Sequence, residues 1–214
     1  MTGDAIGRLG AEASRGDYAS MARLARALYE AGLGPREVLA RCYGVDFPEE
    51  LFVLAEAGPL ELHLAMEFTN QPWELAIPPA RRGPAAEPDV LDDLERRIFA
   101  RDPDLVPLGL VIDTDSRWVE HVLCYRLVEV AAGRSTVFGT GSDLAPRDDV
   151  VRCGDSLLEV LHEVHVDALR GLERKWGHPS NRGSGSIELS DLTEARKLIE
   201  RVEELQRTAA ARSA

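Results

Sequence analysis

Four residues in this sequence have types and spacing that could hold a metal: Glu159, His162, Glu163 and His165. Side chains three or four positions apart share a helix face, so His162 with His165, or Glu159 with His162, could offer two ligands to one ion. The zinc-protease signature H-E-x-x-H needs its histidines four apart, and His162-Glu163-Val164-His165 is one residue short. Leu158, Leu161 and Val164 interleave with them on a helix that must pack, so a partly exposed polar face is expected and no metal site is assigned. Gly139-Thr140-Gly141-Ser142 resembles part of a phosphate loop, but it lacks the lysine of the P-loop. It also lacks the third glycine and following helix of a dinucleotide fingerprint. A connecting loop is expected there, with no cofactor.

Asp113 and Asp115 bracket a turn after an apolar run. Alternating aspartates can bind calcium, but the glycine and terminal glutamate of an EF-hand loop are absent, and Asx hydrogen bonding accounts for both residues. No G-x-S-x-G elbow occurs. Cys42, Cys124 and Cys153 are widely spaced, form no C-x-x-C pair and sit among apolar neighbours, as reduced buried thiols do. No catalytic residue is assigned. Trp73 and Trp118 lie beside turns, where aromatic side chains can anchor a partner. Together with Asp113 and Asp115 they form the candidate partner-binding set.

The whole chain narrows the classes further. Its 214 residues can bury one sizeable core, and 44% hydrophobic content is ordinary for a globular protein. No apolar run approaches the roughly 20 residues of a membrane span, and Met1 to Leu24 has no apolar centre of a secretory signal, so a cytoplasmic location is expected. A net charge of -12 with no basic run disfavours nucleic acid and favours a basic partner.

Periodicity indicates the elements that must carry these residues. Met21, Leu24, Ala25, Leu28 and Tyr29 predict a helix capped by Asp17, and Gly34-Pro35 opens another with Val38, Leu39 and Cys42 inward. Pro48-Glu49-Glu50 starts a third helix, closed by Gly58-Pro59. Alternation from Leu60 to Phe68 predicts a half-buried strand, and Trp73 to Ile77 a short return strand. Residues 78–89 read as a loop or mobile insertion, followed by a helix from Val90 to Phe99. Leu105 to Ile112 predicts a strand covered on both faces, Val119 to Val130 the longest strand, Thr136 to Phe138 its hairpin partner, and Val150-Val151 an edge. Ser156 with Glu159 has capping-box spacing ahead of a helix whose apolar face runs from Leu157 to Trp176. After a polar linker, Asp191 starts an amphipathic helix, and the tail beyond Arg207 is expected to fray. The organisation expected is one α/β domain over 1–176, a linker over 177–189 and an appended helix over 190–207.

In this order of elements, four segments carry a family likeness. Gly44-Val45-Asp46-Phe47-Pro48-Glu49-Glu50-Leu51, Leu105-Val106-Pro107-Leu108-Gly109, Cys124-Tyr125-Arg126-Leu127 and Asp155-Ser156-Leu157-Leu158-Glu159-Val160-Leu161 resemble motifs of the SUKH superfamily. That group includes fungal cell-wall assembly regulators of the Smi/Knr type and bacterial toxin-immunity proteins. The chain departs from the pattern at Phe47, where leucine is usual, at Ala57-Gly58-Pro59, and in the extra segments 78–103 and beyond Ser186. The resemblance implies an α+β fold with a mixed or antiparallel central sheet flanked by helices. It also implies a non-enzymatic protein-interaction module, an immunity protein or adaptor, whose partner could be a basic toxin. Two other classes stand beside it. One is a small enzyme with a dispersed site near His121 and Cys124. The other is a self-assembling component using the C-terminal helix as its handle, whereas docking of that helix on its own core is the expectation.

Overall fold

The computed structural model describes residues 3–59, 62, 64–85, 87–88, 91–113, 115–143, 150–177 and 189–213. The fold is α+β. Helices α1 (Gly3–Glu12), α2 (Tyr18–Glu30), α3 (Pro35–Tyr43) and α4 (Glu49–Ala57) precede strand β1 (Met66–Phe68). Helix α5 (Trp73–Ala76), a 3-10 turn (Pro79–Arg81) and α6 (Asp92–Arg101) lead to β2 (Leu105–Val111) and β3 (His121–Arg126). Then come α7 (Leu127–Ala131), β4 (Val137–Gly141), β5 (Val151–Gly154), α8 (Leu157–Gly177) and α9 (Leu189–Ser213). The strands form one antiparallel meander in the order β1-β2-β3-β4-β5.

Strand alternation sorts the apolar side chains onto two faces. Leu123, Tyr125 and Val137 join the main core with Leu39, Leu51, Leu54, Leu157, Leu161 and Val202 from the helices. On the opposite face Val122 and Cys124 of β3 pack with Leu105 and with Ile98 of α6. The continuous apolar run of β2 follows from this double cover.

Several expectations need correction. Trp73 to Ile77 is not a strand: Glu74 N–H bonds to Asn70 O (2.8 Å) and Ala76 N–H to Pro72 O (3.1 Å), closing a helical turn. Short apolar runs do not reveal their own period. Strand β3 ends at Arg126, because Asp104 captures the next two amides, Leu127 N–H with its carbonyl (2.8 Å) and Val128 N–H with its Oδ1 (3.1 Å), and the chain turns into α7. Gly139 and Gly141 belong to β4, not to a loop; a Cβ on Gly139 would lie 2.8 Å from Cys153 Sγ of β5, so bare backbone lets the two strands close. Of the strand expected from Leu60, only Met66–Phe68 pairs, and residues 60, 61 and 63 lie outside those described.

The described part of the Pro-rich segment is anchored. The Arg26 guanidinium donates twice to Pro84 O (3.0 and 2.7 Å) and the Tyr18 hydroxyl to Ala85 O (3.2 Å). The C-terminal helix begins two residues before Asp191 and stays helical to Ser213, where fraying was expected after Arg207. Its Val202, Leu205 and Ala209 are buried in the main core, and near its end Arg212 pairs with Glu56 (2.8 Å) and Glu49 (3.7 Å). Of the linker expected over 177–189, Gly177 belongs to α8 and Leu189 to α9, and residues 178–188 lie outside those described.

Candidate functional site

The loop between β2 and β3, Ile112 to Glu120, lies against α8 and gathers three of the four candidate partner residues. Asp113 Oδ1 accepts the Asp115 N–H (2.8 Å), the Asx arrangement expected of the turn. Asp115 then reaches α8, where Lys175 Nζ (2.7 Å) and Arg174 Nη2 (3.8 Å) meet its carboxylate. Gly171 makes that approach possible: a Cβ there would sit 2.3 Å from Asp115 Cγ. A helix-interior glycine normally costs stability, and here the close contact of loop and helix requires it. Arg117 pairs with Glu163 and lies over the Trp118 ring at 5.1 Å, while Trp118 meets the His121 ring edge-on at 5.8 Å.

Between loop and helix runs a groove of about 730 Å³ lined by Asp115, Arg117, Asp167, Arg170, Glu173 and Arg174. Two large apolar side chains are exposed on the same two segments, Ile112 (49% exposed) and Trp176 (45%). Both signs of charge alternate around the groove, which the Ser116 hydroxyl also lines. Of the residues named from the sequence, Asp113, Asp115 and Trp118 share this loop. The structure adds Arg117, Arg174 and Lys175 beside them, residues that carry no local signature; the glycine at 171 within an apolar helix was the one available signal.

Trp73 lies elsewhere. It is 2% exposed, its indole N–H donates to Leu108 O (2.6 Å), and its ring meets Phe68 edge-on at 5.2 Å.

Three of the four segments that carry the family likeness meet at Glu50. This buried carboxylate of α4 accepts the Tyr125 hydroxyl (2.6 Å), the Ser156 hydroxyl, and the N–H groups of Leu157 (2.9 Å) and Leu158 (3.3 Å). Ser156 Oγ accepts the Glu159 N–H (3.4 Å), one half of the expected capping box, and Glu50 supplies the rest of the cap from across the core. Burial, and then the Glu50 carboxylate, push the Tyr125 phenol well above its ordinary value.

Comparison with protein-family models, with curated proteins and with solved structures finds no match.

The other chemistry-bearing residues have structural partners. Burial, with a smaller effect of His162, lowers the His165 pKa to about 4, and its Nε2 faces the Ala65 N–H (3.5 Å). His162 faces Glu203 of α9 at 3.5 Å. Among the described residues no three His, Cys, Asp or Glu side chains converge as metal ligands. All three cysteines are free, and burial raises Cys42 and Cys153 to about 12 and pushes Cys124 up as well, so these thiols hold their protons at neutral pH. Glu95 is buried and accepts Asn70 Nδ2 (2.7 Å) together with the backbone N–H groups of Asn70 and Gln71; burial outweighs those bonds and raises its pKa to about 7. Among the described residues no helix is long and apolar enough to cross a membrane.

Proposed function

We propose that this chain is a non-enzymatic protein-interaction module of the SUKH kind, acting in the cytosol as an immunity protein that neutralises a cognate toxin. Its contact surface is the β2–β3 loop with the adjoining face of α8. The observation that carries this reading is the fastening of that loop: Asp115 on Lys175 over Gly171, and Arg117 on Glu163, hold a mixed-charge groove beside exposed Ile112 and Trp176. A contact surface set before the partner arrives loses less entropy on binding.

Three further observations support it. Glu50, Tyr125 and Ser156, from three of the segments that resemble SUKH motifs, join in one buried hydrogen-bond cluster. The net charge of -12 favours rapid encounter with a basic toxin domain. The free cysteines suit a reducing compartment.

The test is co-expression with the product of a neighbouring toxin-like gene in a sensitive host. Survival with the wild-type chain, lost in Arg170→Glu/Trp176→Ala while that variant melts like wild type, is the expected result. Survival unaffected by the double substitution would remove the surface. A toxin that neither binds nor is blocked by the wild-type chain would remove the immunity role.

A further inference from the structure

A second cavity, of about 340 Å³, opens between the C-terminal end of α4, the end of β1, α5 and the Pro-rich turn. Small-ligand sites begin at roughly this size. Its base is apolar, with Phe68, Trp73 and Ile77, and the Trp73 indole N–H is already committed to Leu108 O, so the ring offers the cavity only hydrocarbon.

The mouth carries charge. Glu56 is paired with Arg212 (2.8 Å), and Glu74 Oε2 accepts the Ala85 N–H (3.3 Å). Arg81 donates to the Glu56 carbonyl (2.8 Å), a neutral acceptor, and among the described residues it forms no ion pair. Arg82 is exposed, and its backbone is held in the left-handed region at φ 71, ψ 11, which costs a residue with a Cβ some stability.

The turn presenting these arginines is firmly built. Arg81 and Gly83 N–H groups both bond to Pro78 O (2.8 and 3.3 Å), and Arg82 N–H bonds to Pro79 O (3.0 Å). Gly83 lies so close to α5 that a Cβ would fall 2.5 Å from the Ile77 carbonyl oxygen. Beyond it Arg26 and Tyr18 hold Pro84 and Ala85. The backbone carrying both arginines is thus fixed at the rim of an apolar cavity, with the Arg81 guanidinium held on the Glu56 carbonyl, in a chain whose net charge is -12.

We propose that this cavity binds a small carboxylate bearing an apolar chain, the chain toward Phe68, Trp73 and Ile77 and the carboxylate on Arg82 with Arg81 beside it. The site is separate from the loop–α8 surface and does not depend on the protein-partner reading.

The experiment titrates the full-length chain, followed by amide chemical shifts, with 3-phenylpropanoate, with its neutral amide, and with N-acetyl-Ala-Phe carrying a free C-terminus. The acid is expected to give saturable shifts at residues 55–59, 68–69 and 73–83, and the amide to bind about tenfold more weakly, as loss of one charge-assisted bond implies. Tighter binding of the peptide than of the acid assigns the carboxylate to a chain terminus, and weaker binding assigns it to a free acid. Arg82→Gly removes the guanidinium and suits the positive φ, so it should keep or raise the melting temperature and lose about tenfold in affinity. Equal binding of acid and amide, shifts confined to other residues, or undiminished affinity in Arg82→Gly would overturn the proposal.

Discussion

Ser156 opens α8 with its hydroxyl donated to Glu50, a residue 106 positions earlier that lies in the first turn of α4. The same carboxylate takes the first two amides of α8 and the Tyr125 phenol, so one anion satisfies a helix terminus and joins α4, β3 and α8. Glu50→Gln is expected to lower unfolding stability by about 1–3 kcal/mol, and Tyr125→Phe by about 2 kcal/mol. The two share a bond, so a double-mutant cycle by urea denaturation should show coupling; strict additivity would contradict the cluster.

Glu95 and His165 give stability opposite pH slopes. The Glu95 pKa is raised to about 7 from 4.5, so the folded chain holds its proton longer than the unfolded chain. Its contribution is full below about pH 4.5 and is lost as pH rises to about 7, a fall of about 3 kcal/mol. Glu95→Gln should abolish that fall, so the melting-temperature gap between wild type and variant changes between about pH 4.5 and 7 and levels off above.

The His165 pKa is lowered from 6.5 to about 4, so the unfolded chain binds the proton first. Stability from this group is full above about pH 6.5 and is lost as pH falls toward 4. His165→Gln retains an acceptor for the Ala65 N–H and should remove the acid-side loss. An unchanged acid limb in thermal melts would refute the assignment.

Gly171→Ala tests the fastening of the loop. In an exposed helix this change gains about 1 kcal/mol. Here the methyl group displaces the Asp115 carboxylate from Lys175, and a net loss of about 1–3 kcal/mol is expected. Asp115→Ala added to Gly171→Ala should recover part of that loss in chemical denaturation, which two independent sites would not do.

Helix α9 is part of the core. Leu205→Ala is expected to cost about 2–5 kcal/mol, whereas Arg212→Ala, in an exposed ion pair, should leave the melting temperature almost unchanged. Size-exclusion chromatography of a chain ending at Gly185 should show aggregation or unfolding. A stable, well-folded monomer would mean α9 contributes little.

Local pattern made much of this fold legible. Gly34-Pro35, Pro48-Glu49-Glu50 and Ser156 announced helix starts that the structure contains, because caps, proline and first-turn acids act within one turn of chain. The run from Leu105 to Ile112 marked β2 because burial on both faces leaves no polar alternation. Trp73 to Ile77 and Leu127 to Ala131 misled, since four or five apolar residues fit helix and strand equally and only hydrogen bonds to Asn70, Pro72 and Asp104 decide between them.

By itself, then, the sequence determined the class of the chain, the helix starts and the central strands, all set by interactions a few residues long. Which polar side chains meet was decided by tertiary structure alone. Glu50 reached Ser156, Asp115 settled over Gly171, and Arg82 came to the rim of an apolar cavity because the packing of α4, α5 and α8 brings distant backbone together. Such contacts leave no periodic trace in the chain, because their energy depends on distances that only the folded core sets.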